Sequence, residues 1–272
     1  MSEESTLAPV PLEEAEILPE AGRNRSYLGP IFTFLLILVA WELSVRYFKI
    51  PSWLLPSPTA IFEAIVDWRA ELLIHSVITL YETLLGFGLA VLLGIPLAAL
   101  ITYSPFLQKT IYPLLLALQS VPKVAVAPLL VLWIGFGILP KVVVVFLVCF
   151  FPIIVATTAG LSAVPSTVME LIRSLSASQY QTFIKIRFPT AMPHIFVGSK
   201  IAITFAVIGA VIGEFVGSES GLGYVILTSS SQLRTSLAFA ALLILTVMSI
   251  FLYYAVEIVE RFCIPWAEKS QD

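Results

Sequence analysis

The sequence predicts an all-α polytopic membrane protein with about six transmembrane helices. Of its 272 residues, 58% are hydrophobic and only 12% are charged, whereas a soluble domain carries about 25% charged residues. The mean hydropathy is +0.97, and the apolar residues form runs long enough to cross a bilayer with roughly 20 residues each. These observations exclude an ordinary soluble domain.

Six apolar segments, punctuated by proline and glycine, define the predicted spans. They cover about 29–48, 76–103, 111–133, 141–161, 195–216 and 237–259. A short amphipathic helix over 58–72 is expected to lie at the membrane surface after the first span. Pro113, Pro122 and Pro128 interrupt the third span, because proline removes a backbone donor and bends a helix. A polar segment over 165–187 separates the fourth and fifth spans.

The basic residues predict the orientation of the chain. Six crossings place both termini and the 165–187 segment on one side, which also carries Lys109, Arg173, Lys185, Arg187, Arg261 and Lys269. Basic loops are favoured on the cytoplasmic side. We therefore predict cytoplasmic termini and a location in the plasma (inner) membrane of the cell.

The two ends of the chain differ from its apolar body. The first 20 residues contain six glutamates and no lysine or arginine, and such acidic, proline-containing segments bury too little apolar surface to fold alone. We predict a disordered acidic cytoplasmic tail over 1–26, a transmembrane domain over 27–266 and a second cytoplasmic tail over 267–272.

Charged residues inside the predicted spans are candidates for a solute pathway. A charge at the bilayer centre costs about 2.5–3.5 kcal/mol on insertion scales, so such groups usually face the bundle interior or a water-filled cavity. Glu82, Lys123 and Glu214 meet this description, and Gln119 and Ser120 lie beside Lys123 at a proline break. Backbone groups freed by such a break are tolerated mainly where they line a cavity. The alternative is that Glu82 and Lys123 form a structural pair or lie nearer the membrane surface.

The 165–187 segment has two readings from its residues alone. Thr167, followed by Glu170 three residues later, fits a capping box, so a short helix is predicted to begin near Thr167. This helix would present Glu170 and Arg173 to the cytoplasm. A plain amphipathic linker explains the segment, and so does a docking site for a soluble partner.

The same segment resembles the cytoplasmic signature of permease subunits of ATP-binding cassette importers. That signature reads Glu-Ala-Ala, three residues, Gly, nine residues, then Ile-x-Leu-Pro. Glu170 holds its first position, Leu171 replaces an alanine, Ser176 takes the place of the glycine, and Ile186 and Pro189 follow at the required distance. The spacing therefore agrees throughout, although several small residues have been replaced.

Further motifs extend the resemblance to the nitrate, taurine and sulfonate group of these permeases. They are Leu55-Pro56-Ser57-Pro58, Gln119-Ser120-Val121-Pro122-Lys123, Trp133-Ile134-Gly135-Phe136-Gly137 and Gly221-Leu222-Gly223. The resemblance implies a coupling helix between spans four and five that seats on an ATPase subunit. The residues it assigns to this coupling segment are Glu170, Leu171, Arg173, Ser176, Ala177, Ile186 and Pro189.

The resemblance also implies partners and a function. The expected partners are two ATPase subunits, a second permease chain in a homodimer rather than a heterodimer, an extracytoplasmic solute-binding protein and the lipid bilayer, with no nucleic acid. The implied function is uptake of a small solute, expected to be anionic. ATP would bind the ATPase subunits, so this chain is expected to hold no cofactor and to be no enzyme.

Two other function classes fit a polytopic membrane chain. A membrane-embedded enzyme needs catalytic side chains clustered at one depth, and the sequence shows no such cluster. A secondary transporter usually contains internal repeats, and none is evident.

The 217–223 turn lacks the Lys-Ser/Thr ending of a phosphate-binding loop. Two cysteines and two histidines, widely separated, form no metal-site pattern.

Overall fold

The structure, a computed structural model, describes residues 28–266 as a bundle of α-helices. No β-strand occurs within this range, which confirms the predicted all-α class. The predicted tails over 1–26 and 267–272 lie outside the described residues. The helices are α1 (Leu28–Tyr47), α2 (Pro58–Asp67), α3 (Arg69–Tyr103), α4 (Pro105–Gln119), α5 (Lys123–Ile134), α6 (Ile138–Ser162), α7 (Ser166–Ser174), α8 (Gln179–Thr182), α9 (Phe188–Phe215), α10 (Leu222–Ser231) and α11 (Thr235–Cys263), with a π-helical turn over Phe183–Arg187 between α8 and α9.

Six segments of the described chain are long and apolar enough to cross a membrane. Five are single stretches, namely α1, α3, α6, the continuous 179–215 stretch that ends in α9, and α11. The sixth is the pair α4 and α5, which is bent by 96° at its break. Pro122 precedes α5 at this break, and its ring both removes a backbone donor and fixes the backbone. The prediction of about six spans is confirmed.

Helices α3, α6 and α9 form the centre of the bundle. Gly160 near the end of α6 faces Ala191 near the start of α9, whereas Lys141 near the start of α6 faces Gly213 near the end of α9. The two helices are therefore antiparallel. A Cβ atom added to Gly86 of α3 would overlap the side chain of Val145 on α6, so small residues let these helices pack closely.

The bundle has two ends. We call the end with the 217–223 turn, which follows α9, the turn end, and the opposite end, where α7 lies, the α7 end. Helix α3 begins at the turn end, where Thr79 contacts Glu214, and finishes at the α7 end, where the Tyr103 ring lies 5.5 Å from that of Phe183. Helix α6 begins at the turn end, so α4 and α5 together traverse the bundle.

Two local elements differ from the sequence prediction. The amphipathic helix predicted over 58–72 stops at Asp67, and α3 begins at Arg69, so the second span starts earlier than expected. Helix α10 was not predicted, because serine favours turns over helix interiors and this stretch is rich in serine. Its helical conformation is stabilised by burial of Leu222 and Val225 in the main core.

Candidate functional site

Helix α7 begins directly after a proline. Pro165 is its N-cap residue, and no side chain caps this end. The capping box predicted at Thr167 and Glu170 is therefore wrong, because α7 begins at Ser166 and Thr167 already lies inside its first turn. A capping box instead begins α8, where the Ser178 hydroxyl accepts from the backbone N–H of Gln181 and the Gln181 side chain accepts from the N–H of Ser178.

The end of α7 is a Schellman motif centred on Ser176. The backbone N–H of Ser176 donates to the carbonyl of Arg173 at 3.0 Å, and that of Ala177 donates to the carbonyl of Ile172 at 3.3 Å. Ser176 has a φ of 55°, the left-handed conformation that glycine normally supplies at this position. Serine thus stands at the glycine position of the signature spacing and adopts a left-handed backbone conformation.

Helix α7 buries one side and exposes the other. Ile172 packs inward, whereas Glu170, Leu171 and Arg173 are exposed. Leu171 is 60% exposed and Leu175 is 72% exposed. Exposed apolar side chains grouped at one place often mark a surface for a protein partner. The surface at the α7 end is therefore amphipathic and open to a binding partner.

The π-helical turn ties this segment to the transmembrane core. The guanidinium of Arg187 lies 5.4 Å from the centre of the Tyr103 ring, and Phe183 contacts the same tyrosine. Ile186 and Pro189, the last two residues of the signature, are half-buried here. π-Helical turns are frequent at functional sites, and this one joins the α7 segment to α9.

A buried ion pair occupies the turn end of the bundle. Glu82 on α3 pairs with Lys141 on α6, and their side chains are only 1% and 8% exposed. The ammonium of Lys141 also donates to the hydroxyl of Ser218 at 2.9 Å. The alternative interpretation paired Glu82 with Lys123. Glu82 does have a structural partner, but that partner is Lys141.

The glycine turn encloses the carboxylate of Glu214. Three consecutive backbone N–H groups at the start of α10 each donate a hydrogen bond to a side chain. The N–H of Gly221 donates to Nδ1 of His75 at 2.9 Å, and that of Leu222 donates to the hydroxyl of Thr79 at 2.8 Å. The N–H of Gly223 donates to the carboxylate of Glu214 at 2.5 Å. Thr79 in turn donates to Glu214 at 2.6 Å. A helix N-terminus has unpaired donors and favours an anion, and here the chain supplies its own.

A cavity of about 800 Å³ opens beside this network. The side chains of Tyr81, Glu82, Phe136, Lys141 and Glu219 contribute to its lining. Glu214 lies behind the cavity wall, at the base of the turn. The cavity therefore combines aromatic surface with hydrogen-bonding and charged groups, a composition suited to a small polar solute.

The other predicted pathway residues lie at the α4–α5 break, away from this network. The Lys123 ammonium donates to the carbonyl of Gln119 and lies 5.3 Å from the ring of Phe151. Gln119 and Ser120 are exposed. Phe151 follows Lys141 by ten residues on α6, about 15 Å along the helix. The structure thus brings Glu82 and Glu214 together, but it does not bring Lys123 to them.

Lys141, His75 and Thr79 were missed by sequence reasoning, whereas Glu214, which also holds the glycine turn, was among the predicted pathway residues. Lys141 stood only as the first residue of the predicted fourth span, and its pairing with a residue 59 positions earlier is not visible in the sequence. The available signal was that Glu82 needs a buried cation if it lies within the membrane.

A comparison with protein families identifies the kind of molecule. Residues 90–264 match the family described as binding-protein-dependent transport system inner membrane component. The chain belongs to this family. The match includes the α7 segment, Lys141 and Glu214, and it confirms the resemblance to permease subunits of ATP-binding cassette transporters. The family is one of transport components of the inner membrane, which agrees with a multi-pass membrane location and with a non-enzymatic chain.

Curated relatives cover nearly the whole permease. The formylaminopyrimidine transport permease protein ThiX of Halalkalibacterium halodurans is 37% identical over 91% of this chain and 100% of its own length. The riboflavin transport system permease protein RibX of Chloroflexus aurantiacus is 33% identical over 88% of this chain and 90% of its own. The putative aliphatic sulfonates permease SsuC of Bacillus subtilis is 29% identical over 94% of this chain and 95% of its own.

The fold is also found among solved structures. Inward-facing structures of the MetNI methionine ABC transporter include a chain that matches with a TM-score of 0.61 at 20% identity, covering 70% of the permease and 95% of that chain. At this identity the likeness concerns the fold alone. It shows that most of the chain shares the fold of a chain of that ABC transporter.

Proposed function

We propose that the permease is the membrane-spanning subunit of an importer that takes up a small solute delivered by an extracytoplasmic binding protein. Two ATPase subunits bind and hydrolyse the ATP, and this chain holds no cofactor. A second copy of the permease completes the solute pathway as a homodimer. The family description supports the importer class. The ATPase subunits, the second permease copy and the binding protein are what we propose in addition.

The observation that carries the proposal is the conformation at Ser176. A left-handed residue closes α7 in a Schellman motif at the glycine position of the signature. Glu170, Leu171 and Arg173 are exposed beside it, while Ile186 and Pro189 connect it to α9. We therefore assign α7 as the coupling helix, with Ser176 and Ala177 forming the turn that orients it against the ATPase.

The same proposal sets the orientation. The α7 end faces the cytoplasm, where the ATPase subunits lie, and the turn end faces the binding protein. Six crossings then leave both termini cytoplasmic. The exposed basic side chains Arg173 and Lys185 at the α7 end support this orientation through the preference for positive charge on the cytoplasmic side.

Two measurements test the assembly and its orientation. An affinity-tagged permease, purified from its own cells in mild detergent, should retain an ATPase subunit at one copy per permease. In a variant with Cys263→Ser, which removes the exposed native thiol, Glu219→Cys should react with an impermeant thiol reagent added outside the cell, and Arg173→Cys should not. A permease that purifies without an ATPase, or the reverse labelling pattern, would contradict the proposal.

For the solute, we propose a small heterocyclic compound of the vitamin-precursor type. ThiX and RibX, which are 37% and 33% identical to this chain, are named for formylaminopyrimidine and riboflavin transport. The cavity at the turn end offers Tyr81 and Phe136 as ring surfaces beside the Ser218 hydroxyl and the Glu82–Lys141 pair. Aromatic surface with a few polar groups suits a planar, polar ring.

An anionic solute is the second candidate, as the resemblance to the nitrate and sulfonate group implied. Lys123 is the observation that favours it, since a cation at a helix break attracts an anion, although its ammonium already contacts Gln119 and Phe151. Uptake of labelled formylaminopyrimidine, riboflavin and taurine by cells with and without the permease separates the two. Permease-dependent uptake of taurine alone would exclude the heterocyclic proposal.

A further inference from the structure

A small polar pocket lies at the α7 end, between the last turn of α3 and the α7–α8 segment. It has a volume of about 360 Å³, and Arg173 and Arg187 both line it, together with Tyr103, Gln179 and Thr182. We call it the arginine pocket. Two arginines and several residues with hydrogen-bonding side chains line it, and no acidic residue of the described chain does. Such a composition is suited to an anion with several oxygen atoms.

Within residues 28–266, neither Arg173 nor Arg187 takes part in an ion pair, whereas Lys141 and Lys200, which like Arg187 are partly or fully buried, each pair with a glutamate. The guanidinium of Arg187 lies instead over the ring of Tyr103. With no acidic partner in the described part of the chain, the charge of the two arginines favours an anion in the pocket.

An apolar groove continues from the arginine pocket along α3. It has a volume of about 600 Å³ and is lined by Ile95, Pro96, Leu100 and Phe183, among others. Tyr103 and Gln179 belong to both linings, so the groove and the pocket adjoin. We call it the acyl groove. A free phosphate ion would use only the pocket, whereas a molecule with a charged head and an apolar chain would use both.

We propose that the arginine pocket and the acyl groove together bind one anionic phospholipid, with its phosphate between Arg173 and Arg187 and an acyl chain along α3. Basic pockets between transmembrane helices are suited to anionic headgroups, and this pocket lies at the last turn of the apolar span formed by α3. Its walls come from α3, α7, α8 and the π-helical turn, so the bound lipid joins the α7 segment to the membrane core. The site does not depend on the assignment of α7 as a coupling helix.

The test compares lipids on the full-length permease in detergent by native mass spectrometry. Phosphatidylglycerol should bind at one saturable site, on the order of tenfold or more tighter than phosphatidylcholine with the same acyl chains, because each nearby arginine favours an anionic headgroup by about fivefold. Arg187→Gln should weaken phosphatidylglycerol binding by about fivefold and leave phosphatidylcholine binding unchanged. Ala99→Phe, which places a ring in the acyl groove, should weaken binding of both lipids.

A matched control is available at the other end of the bundle. Arg234 lies 5.5 Å from the Trp68 ring, much as Arg187 lies over Tyr103, so Arg234→Gln removes an equivalent guanidinium and should leave lipid binding unchanged. Water-soluble glycerol phosphate identifies the source of the phosphate: it should bind at least tenfold more weakly than phosphatidylglycerol. Two results on the unmodified permease would overturn the proposal without relying on any variant. One is equal affinity for glycerol phosphate and phosphatidylglycerol, and the other is equal affinity for phosphatidylglycerol and phosphatidylcholine.

Discussion

Replacement of Lys141 by methionine removes the cation that pairs with Glu82 and keeps a side chain of similar length. Both residues are almost completely buried, so the remaining carboxylate has little access to water. Ser218 loses one partner but still donates to the carbonyl of Ser220 at 2.5 Å. The main effect is therefore an unpaired buried charge on α3.

The magnitude follows from the burial of the pair. Removing one partner of a buried ion pair costs about 3–5 kcal/mol, whereas replacing both by apolar residues of similar volume is often neutral or stabilising. For a chain of this size, 1 kcal/mol corresponds to a shift of roughly 2–4 °C in Tm. We expect Lys141→Met to lower Tm by roughly 6–20 °C, and Glu82→Met combined with Lys141→Met to recover most of that loss.

The assay is thermal unfolding of the purified permease in one detergent, followed by loss of helical signal. Arg46→Met is the matched control, since the exposed Arg46 pairs with Glu42 one helical turn away, and such a pair contributes only about 0.3–0.5 kcal/mol. The reasoning fails if Lys141→Met unfolds within 2 °C of the unmodified protein, given the roughly 6–20 °C expected, or if the double variant is as unstable as the single one.

Three further changes test other parts of the structure. Ser176→Gly relieves the left-handed strain of about 1–2 kcal/mol, but it also raises the conformational entropy of the unfolded chain. The net effect should be a small rise in Tm, by roughly 1–4 °C, and a fall would contradict the Schellman geometry. Gly221→Ala should lower Tm strongly, because φ is +104° and the added Cβ would overlap the Glu214 carboxylate, whereas Gly88→Ala, which meets nothing within 4 Å, should be neutral or stabilising. Lys123→Met should reduce uptake of an anionic solute and leave ATPase co-purification intact; unchanged uptake of an anionic substrate would remove Lys123 from the pathway.

The spans and the α7 segment could be predicted because their signals are local in the sequence. Apolar runs define the membrane segments, and Pro122 marked the α4–α5 break, although no residue indicated that the bend would reach 96°. The spacing from Glu170 to Pro189 singled out the α7 segment. The left-handed backbone at Ser176 could not be predicted from that position alone, since serine adopts this conformation only where the surrounding turn imposes it.

The buried network could not be predicted, because its contacts join residues far apart in the sequence. Thr79 and Glu214 are 135 positions apart, and His75 and Gly221 are 146 apart. The side chains of His75, Thr79 and Glu214 hold three backbone donors of the 217–223 turn, so this turn is anchored to α3 and α9.

The coupling role of α7 is tested most directly by the ratio of solute uptake to ATP hydrolysis in proteoliposomes that contain the complete transporter. Glu170→Lys reverses one exposed charge on α7, and Glu63→Lys makes the same change on the exposed face of α2 at the turn end. If α7 transmits the motion of the ATPase, Glu170→Lys lowers the uptake per ATP by tenfold or more, a loss of about 1.4 kcal/mol in coupling, while Glu63→Lys leaves it unchanged. An unchanged ratio in Glu170→Lys, with the ATPase still bound, would contradict the assignment of α7 as the coupling helix.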